Sequence, residues 1–402
     1  IKDISMDNVK LVALKLKNYR AFKNVEIKNI PNFCVFVGAN GVGKSTIFSV
    51  FNFLKNAIES NVNVALGKIG GANGFNEVRS RNSTGPIEIE LKFVNGKSPL
   101  ITYFLAINEK NGYAYVEKEV LKYKRGNGGH GKPWNFLDFS DGKGTAITNE
   151  TVVREEDFVR EYQSLKSNDI LAIRGLGQFE KFPAVMALSN LIENWHISDF
   201  HIEKARTTPE LGFSQHLSKE GENLPLVIQY LNKLQDGTFE KILDLLSHRI
   251  PGINKIEAKT TEEGRVLLKF QDNSFQDPFL AQFVSDGTIK MLAYLVLLYD
   301  PNPHSLLCIE EPENQLYPSL MEELAEDFRS YSNRGGQVFV STHSPDFLNA
   351  LQPEEVFCLI KKNGYTYIEH LSDNDQIVDY INQGDKLGYL WKQGFIEGVD
   401  PR

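Results

Sequence analysis

The chain has 402 residues, 41% of them hydrophobic and 24% charged, with a formal net charge of −8. That length exceeds one average domain, so one large head with insertions or two domains are expected, and the acidic balance argues against coating nucleic acid by bulk attraction while allowing a local basic face. The longest apolar run, residues 291–299, is bounded by Lys290 and Asp300 and is too short to span a bilayer; with no cleavable leader to be read, the sequence points away from membranes and towards a reducing cytoplasm.

In chain order, alternation over residues 9–17 and 24–29 predicts two paired strands joined at Asn18-Tyr19-Arg20. They carry Lys10, Lys15, Lys17, Arg20, Lys23 and Lys28, a basic patch that is either a nucleic-acid face or a solvated strand surface. The apolar run 33–37 leads into the loop 38–46, and a helix follows to about Glu59. Gly67, Gly70, Gly71 and Gly74 are expected to break the pattern, after which residues 87–94, 100–108 and 113–123 read as a strand meander. A glycine-rich loop beyond it carries a second basic set, Lys122, Lys124, Arg125, His130 and Lys132.

From about residue 151 the pattern turns helical, with helices predicted over 152–165, 183–193, 224–235 and 239–248 and strands over 253–259 and 265–271. The final stretch alternates: helix 288–299, strand 305–309, helix 318–331, strand 337–340, then a short helix and strands 355–361 and 365–370, the rhythm of a parallel sheet. Cys34, Cys308 and Cys358 all fall inside apolar strand-like runs, which fits buried core thiols rather than a disulfide framework or metal site.

Four motifs carry chemistry. Gly38-Ala39-Asn40-Gly41-Val42-Gly43-Lys44-Ser45-Thr46 is a full G-x-x-x-x-G-K-[ST] phosphate loop between a strand and a helix. Its glycines let backbone N–H groups curl around phosphate oxygens, Lys44 reaches the β and γ phosphates, and the Ser45 hydroxyl ligates Mg²⁺, so the chain is expected to bind a nucleoside triphosphate. Leu306-Leu307-Cys308-Ile309-Glu310-Glu311 puts two carboxylates at the end of a buried strand, Glu310 on the metal side and Glu311 placed to polarise water, against the alternative of a strand that simply ends in exposed acids. Residues 337–345 form another buried strand ending in Ser341-Thr342-His343-Ser344, where a neutral His343 can donate to a γ phosphate while the backbone holds its other nitrogen. Finally, Ser285, Asp286 and Gly287 open a helix as an N-cap with exposed N–H groups suited to phosphate.

The order of these motifs resembles the ATP-binding-cassette (ABC) ATPases, and among them the SMC, RecF and OLD group rather than the membrane transporters. The resemblance covers residues 9–60 and 280–361. It implies an α/β fold: an ABC-ATPase head with a RecA-like mixed or parallel sheet core, an antiparallel β lobe and a helical insertion. It also implies that Glu311 is the catalytic base, that His343 senses the γ phosphate, and that Ser285 and Gly287 close on the ATP of a second subunit. Residues 311–318 look like the family's Glu-Pro-Glu segment and following dimer loop, with Tyr317 where many relatives carry histidine. Glu310 replaces the aspartate usual in transporters and SMC heads and matches the OLD-type Glu-Glu-Pro-Glu form. Gln178 is either the glutamine that links metal to insertion or an ordinary loop residue.

The expected organisation is residues 1–60 for the start of the β lobe and the phosphate loop, 61–150 for a β-rich lobe, 151–280 for a helical insertion with returning strands, and 281–402 for the half bearing the signature, acids and histidine. The stretch 47–284 holds many glycines and no sustained heptads, so long coiled-coil arms are excluded. The residues after His343 are too few for the nuclease domain that OLD nucleases carry, and Asp373 and Asp375 lie in a turn-like polar segment rather than a metal pair. The resemblance therefore implies a homodimer, or a higher even oligomer, of ATP-sandwiched heads, acting with a separately encoded effector nuclease in anti-phage defence. Its rivals are a RecF-like clamp on DNA and a slow-turnover scaffold.

Overall fold

The first part of the described chain is rich in strands: β1 (Val9–Tyr19), β2 (Phe22–Ile27), β3 (Phe33–Val37), β4 (Ile87–Asn95), β5 (Ile101–Lys110), β6 (Tyr113–Tyr123), β7 (Trp134–Ser140), β8 (Lys143–Ile147) and β9 (Arg160–Ser164). All but β3 form one antiparallel sheet in the order β2-β1-β4-β5-β6-β7-β8-β9. This computed structural model describes residues 9–96, 100–124, 133–150 and 157–396. It divides into two compact units, one of residues 1–195 with 352–384 and 390–402, the other of 196–351 with 385–389.

The basic strand pair is met by acids on its own sheet. Lys17 lies 2.7 Å from Glu88, its register partner on β4, Lys28 3.2 Å from Glu26, and Lys92 3.2 Å from Glu90. Arg20 donates to the Ile69 carbonyl at 2.7 Å, and Lys23 sits over the Tyr365 ring. Burial lowers the Lys10 amine to about 8. Of the second basic set, Arg125, His130 and Lys132 lie outside the described residues.

Two expectations for this unit are corrected. The glycines at 67–74 break the pattern only in part: Gly67 and Gly70 lie inside the helix Val62–Gly70, because Asn61 caps it by accepting from Val64 N at 2.9 Å and Val62, Ala65 and Leu66 supply a buried face, while the break falls at Gly71, with φ of 65°, before Gly74–Val78. A glycine costs a helix only about 1 kcal/mol, which that burial offsets. Within the helix expected over 152–165, residues 160–164 instead form β9, paired to β8 at the sheet edge. Arg-Glu-Tyr-Gln-Ser presents alternately exposed and half-buried side chains there, so period two prevails.

Buried glutamates tie helices to this sheet. Glu119 on β6 accepts from the first-turn N–H of Ala172 (2.5 Å) and Ile173 (2.9 Å) and from the Tyr103 hydroxyl, while Glu150 accepts from Ala184 N at 2.8 Å in the helix Pro183–Glu193. Each carboxylate satisfies N–H groups that a helix start leaves open.

The second unit adds β10 (His196–Ser198), β11 (Ile253–Thr260), β12 (Val266–Asp272), β13 (Phe279–Leu280), β14 (Leu306–Glu310) and β15 (Gln337–Thr342). β10, β14 and β15 are parallel neighbours, and residues 306–309 of β14 and 338–340 of β15 read as continuous apolar runs, as strands covered on both faces must; β11, β12 and β13 are antiparallel. The helices Leu224–Leu234, Thr238–Arg249, Asp286–Leu298 and Met321–Asn333 match their predicted positions within a few residues. The first unit resumes with β16 (Val356–Lys362), parallel to β3, and β17 (Tyr365–His370), antiparallel to β16. The fold is therefore mixed α/β, as expected. All three cysteines are buried free thiols, and burial pushes Cys358 up to about 12.

Desolvation raises the Glu119 carboxyl to about 7. The fold therefore retains a proton that the unfolded chain releases near pH 4.5, and stability falls as pH rises from there to about 7, by at most about 3 kcal/mol. Thermal melts of wild type and Glu119→Gln across that range should show the wild-type advantage shrinking towards pH 7, with the variant lacking this component of the pH dependence.

Candidate nucleotide site

The phosphate loop lies in the first unit, and the acids, His343 and the Ser-Asp-Gly signature lie in the second. In the first, β3 is buried along its length and hands over to the helix Lys44–Glu59, whose first turn carries no acidic residue and no side-chain cap. Its leading N–H groups and the helix dipole are thus directed at whatever anion the loop receives. A Cβ on Gly38 would stand 2.7 Å from Val42 Cγ1 and 2.9 Å from the Leu359 carbonyl of β16, so only glycine passes there. Gly43, with φ of 111°, turns the loop into the helix in a conformation that side chains disfavour. Lys44 is buried, its amine donating to the carbonyls of Gly38 (2.7 Å) and Ala39 (3.3 Å), while Ser45 is exposed at the helix start. Asn40, Gly41, Val42 and Thr46 complete the loop; Thr46 N bonds back to Gly43 O at 3.1 Å. Behind it, the Thr366 hydroxyl on β17 donates to the Val42 carbonyl, a prop that no motif announces.

In the second unit, β14 and β15 run in parallel register with Glu310 opposite Ser341, so both motifs reach the same sheet edge. Glu310 is exposed there. Glu311 N donates to Ser341 O at 2.8 Å, and the Glu311 backbone then enters the left-handed region at φ 44°. For a non-glycine residue that costs about 1–2 kcal/mol, which the following hydrogen-bonded turn offsets. Inside the turn, Glu313 has a side chain only 11% exposed. Its Oε1 accepts from Thr342 Oγ1 (2.9 Å) and His343 N (2.8 Å). The His343 Nδ1 atom stands 3.3 Å from both Glu311 Oε1 and Glu313 Oε1, and Asn314 Nδ2 donates to Glu311 Oε2 at 3.0 Å. This corrects one expectation: carboxylates, not the backbone, face the second nitrogen of His343.

The signature is fastened to the same turn. Ser285 caps the helix Asp286–Leu298, accepting from Thr288 N at 3.3 Å, and Asp286 is paired with Arg206 at 2.6 Å. A Cβ on Gly287 would stand 3.0 Å from Gln315 O, and Lys290 donates to Asn314 O at 2.6 Å. Burial lowers the Lys290 amine to about 8, although Glu313 and Glu311 pull the other way. Glu313 belongs to the Glu-Pro-Glu segment read from sequence, but its anchoring contacts were not foreseen, and Arg206 and Lys290 were given no role there; those signals are long-range and no spacing rule carries them. Phe283 and Tyr317, 72% and 74% exposed, flank the signature and the turn in sequence.

Within the first unit, Gln178 stands apart from the phosphate loop. It lines a cavity of about 650 Å³ with Lys55, Glu59, Arg174 and Glu193 at the last turn of the helix that Lys44 begins, roughly 20 Å along the axis at 1.5 Å per residue. The ordinary-loop alternative fits that position.

A family model described as "AAA domain, putative AbiEii toxin, Type IV TA system" matches residues 33–349, from the start of β3 past His343. The Old nuclease of Escherichia phage P2 is 27% identical over 174 residues, covering 38% of this chain and only 28% of that protein. Among solved structures, an SMC head bound to the C-terminal winged-helix domain of ScpA aligns with a TM-score of 0.54 at 14% identity, covering 89% of this chain and 97% of that one. An SMC head with an extended coiled coil, bound to the C-terminal domain of ScpA derived from Pyrococcus furiosus, gives 0.52 at 13%, covering 93% and 100%. These likenesses are of fold.

Since Glu313 anchors the end of β15, Glu313→Ala should lower stability by about 2–4 kcal/mol, because it strands Thr342, His343 N and the buried Lys290 charge. Glu313→Gln, which keeps one acceptor, should lose less than half of that in urea unfolding followed by tryptophan fluorescence.

Proposed function

Because the chain belongs to the AAA-domain family described as putative AbiEii toxin, Type IV TA system, and has an SMC- and OLD-like ABC-type ATPase fold, we propose that it binds ATP between two copies of itself and hydrolyses it. The observation that carries this reading is the packing of signature, acid turn and His343 into one hydrogen-bonded body through Glu313, Lys290 and Gly287. Lys44 and the loop N–H groups hold the phosphates, Glu311 accepts the proton of the attacking water, and His343 meets the γ phosphate. The exposed Ser45 hydroxyl and Glu310 carboxylate are hard oxygen donors of the kind Mg²⁺ takes, and the ion, when bound, offsets phosphate charge. Ser285, Asp286 and Gly287 complete the site of the second copy, and exposed Phe283 and Tyr317 supply apolar surface suited to that contact.

In the cell, the reading is an ATPase component of anti-phage defence that governs a separately encoded nuclease, with ATP closure as the switch and hydrolysis as the reset. The family description and the Old nuclease relative support it. The clamp on DNA is weakened at the N-terminal strands, where Lys17 and Lys28 are paired with Glu88 and Glu26.

Glu311→Gln should retain ATP, lose turnover by at least about 100-fold and accumulate as an ATP-dependent dimer in light scattering; a monomer at saturating ATP would refute the sandwich. Mixed Ser285→Arg and Lys44→Ala subunits should recover part of the activity, since one heterodimer interface rebuilds an intact site, whereas no recovery at any ratio counts against shared sites. Co-purification with the product of a neighbouring nuclease gene tests the defence role, and salt-dependent duplex binding by the chain alone would favour the clamp instead.

A further inference from the structure

Three of the chain's eight histidines converge with one aspartate far from the acids of β14. His216 Nδ1 lies 2.7 Å from Asp300 Oδ2, and the His304 ring centroid is 5.0 Å from those of both His196 and His216. Ligand atoms of His216, Asp300 and His304 all fall within 4.8 Å of one another. The Asp300 side chain is only 4% exposed, and His196 and His304 are buried. His304 precedes β14 and His196 opens β10, so the cluster sits at the edge opposite Glu310, about 20 Å away at 3.3 Å per strand residue.

The donors are braced from behind. Asn302 N donates to the other oxygen of Asp300 at 2.8 Å, the Tyr331 hydroxyl donates to the His304 carbonyl at 2.6 Å, and Asn223 Nδ2 donates to the His216 carbonyl at 2.9 Å. Such outer bonds fix ligand orientation in metal centres.

We infer that His216, Asp300 and His304, with His196 as a fourth donor, form a structural site for a zinc-class divalent cation. Nitrogen donors with one carboxylate suit zinc rather than magnesium or calcium, and tetrahedral bonds near 2.0–2.1 Å require donors about 3.3 Å apart, which small side-chain rotations here supply. The ion would cross-link three segments: the start of the parallel strands, the loop bearing His216, and Asp300, which follows the helix that Ser285 caps.

The test uses the full chain, stripped with chelator and titrated without nucleotide, first with ZnCl₂ against a chromogenic chelator and then with CoCl₂. One zinc per chain and the intense visible absorption of tetrahedral cobalt are expected. His216→Ala, at a half-exposed position that spares the buried rings, should weaken zinc binding by more than about 100-fold while still binding ATP. Lys44→Ala should leave zinc uptake unchanged. No stoichiometric uptake by wild type, an octahedral cobalt spectrum, or equal affinity in His216→Ala would each overturn the assignment, leaving a His–Asp ion pair.

Discussion

The carboxylate of Glu313 is the contact on which the arrangement of the second unit's acid turn, strand-end histidine and signature helix depends. It is nearly buried, and a buried charge is tolerated only where donors and a countercharge surround it. Thr342 and the His343 amide supply the donors, and Lys290 supplies positive charge. Since Lys290 belongs to the signature helix and Thr342 to β15, satisfying one acid fixes two elements to the turn after β14. The left-handed backbone at Glu311 follows from the same demand: without that reversal, Glu313 would not fold back onto the strand end.

What was legible in the sequence follows from where each signal resides. The phosphate loop, the acid pair and the strand-end histidine are contiguous, and their backbone requirements are written in glycines and apolar runs, so their positions follow from local rules. The helix Lys44–Glu59 and the strand Tyr113–Tyr123 carry matching start and stop signals and lie as expected. The partners of the motifs were hidden. Thr366 reaches Val42, Arg206 reaches Asp286 and Glu119 reaches Ala172 across long stretches of chain, and one sequence carries no trace of such pairings.

The misplaced elements have a common cause. At 160–164 a polar segment lacks an apolar stripe of either period, and pairing with the exposed edge of β8 decides its state. At 62–70 glycine content suggested a break, but capping by Asn61 and burial of Val62, Ala65 and Leu66 outweigh the glycine penalty and postpone the break to Gly71. Local propensity is a weak prior wherever a sheet edge or a core face is available to overrule it.

The strand β14 also separates two chemistries along one short element. Its C-terminal end presents the exposed Glu310, followed by half-buried Glu311, whereas its N-terminal approach carries His304 in a cluster of imidazoles and one carboxylate. Ligand type, more than raw affinity, sorts cations: hard, exposed oxygens suit a magnesium that arrives and leaves with its nucleotide, and nitrogen-rich buried donors suit a zinc that stays. A resident ion at the far end would hold the start of β14 and the approach from the signature helix fixed while the acid end meets successive nucleotide states. Rigidity is then added at the end of β14 that lies away from the acids, while at the other end Glu313 and Asn314 already tie the turn to β15 and to the signature helix.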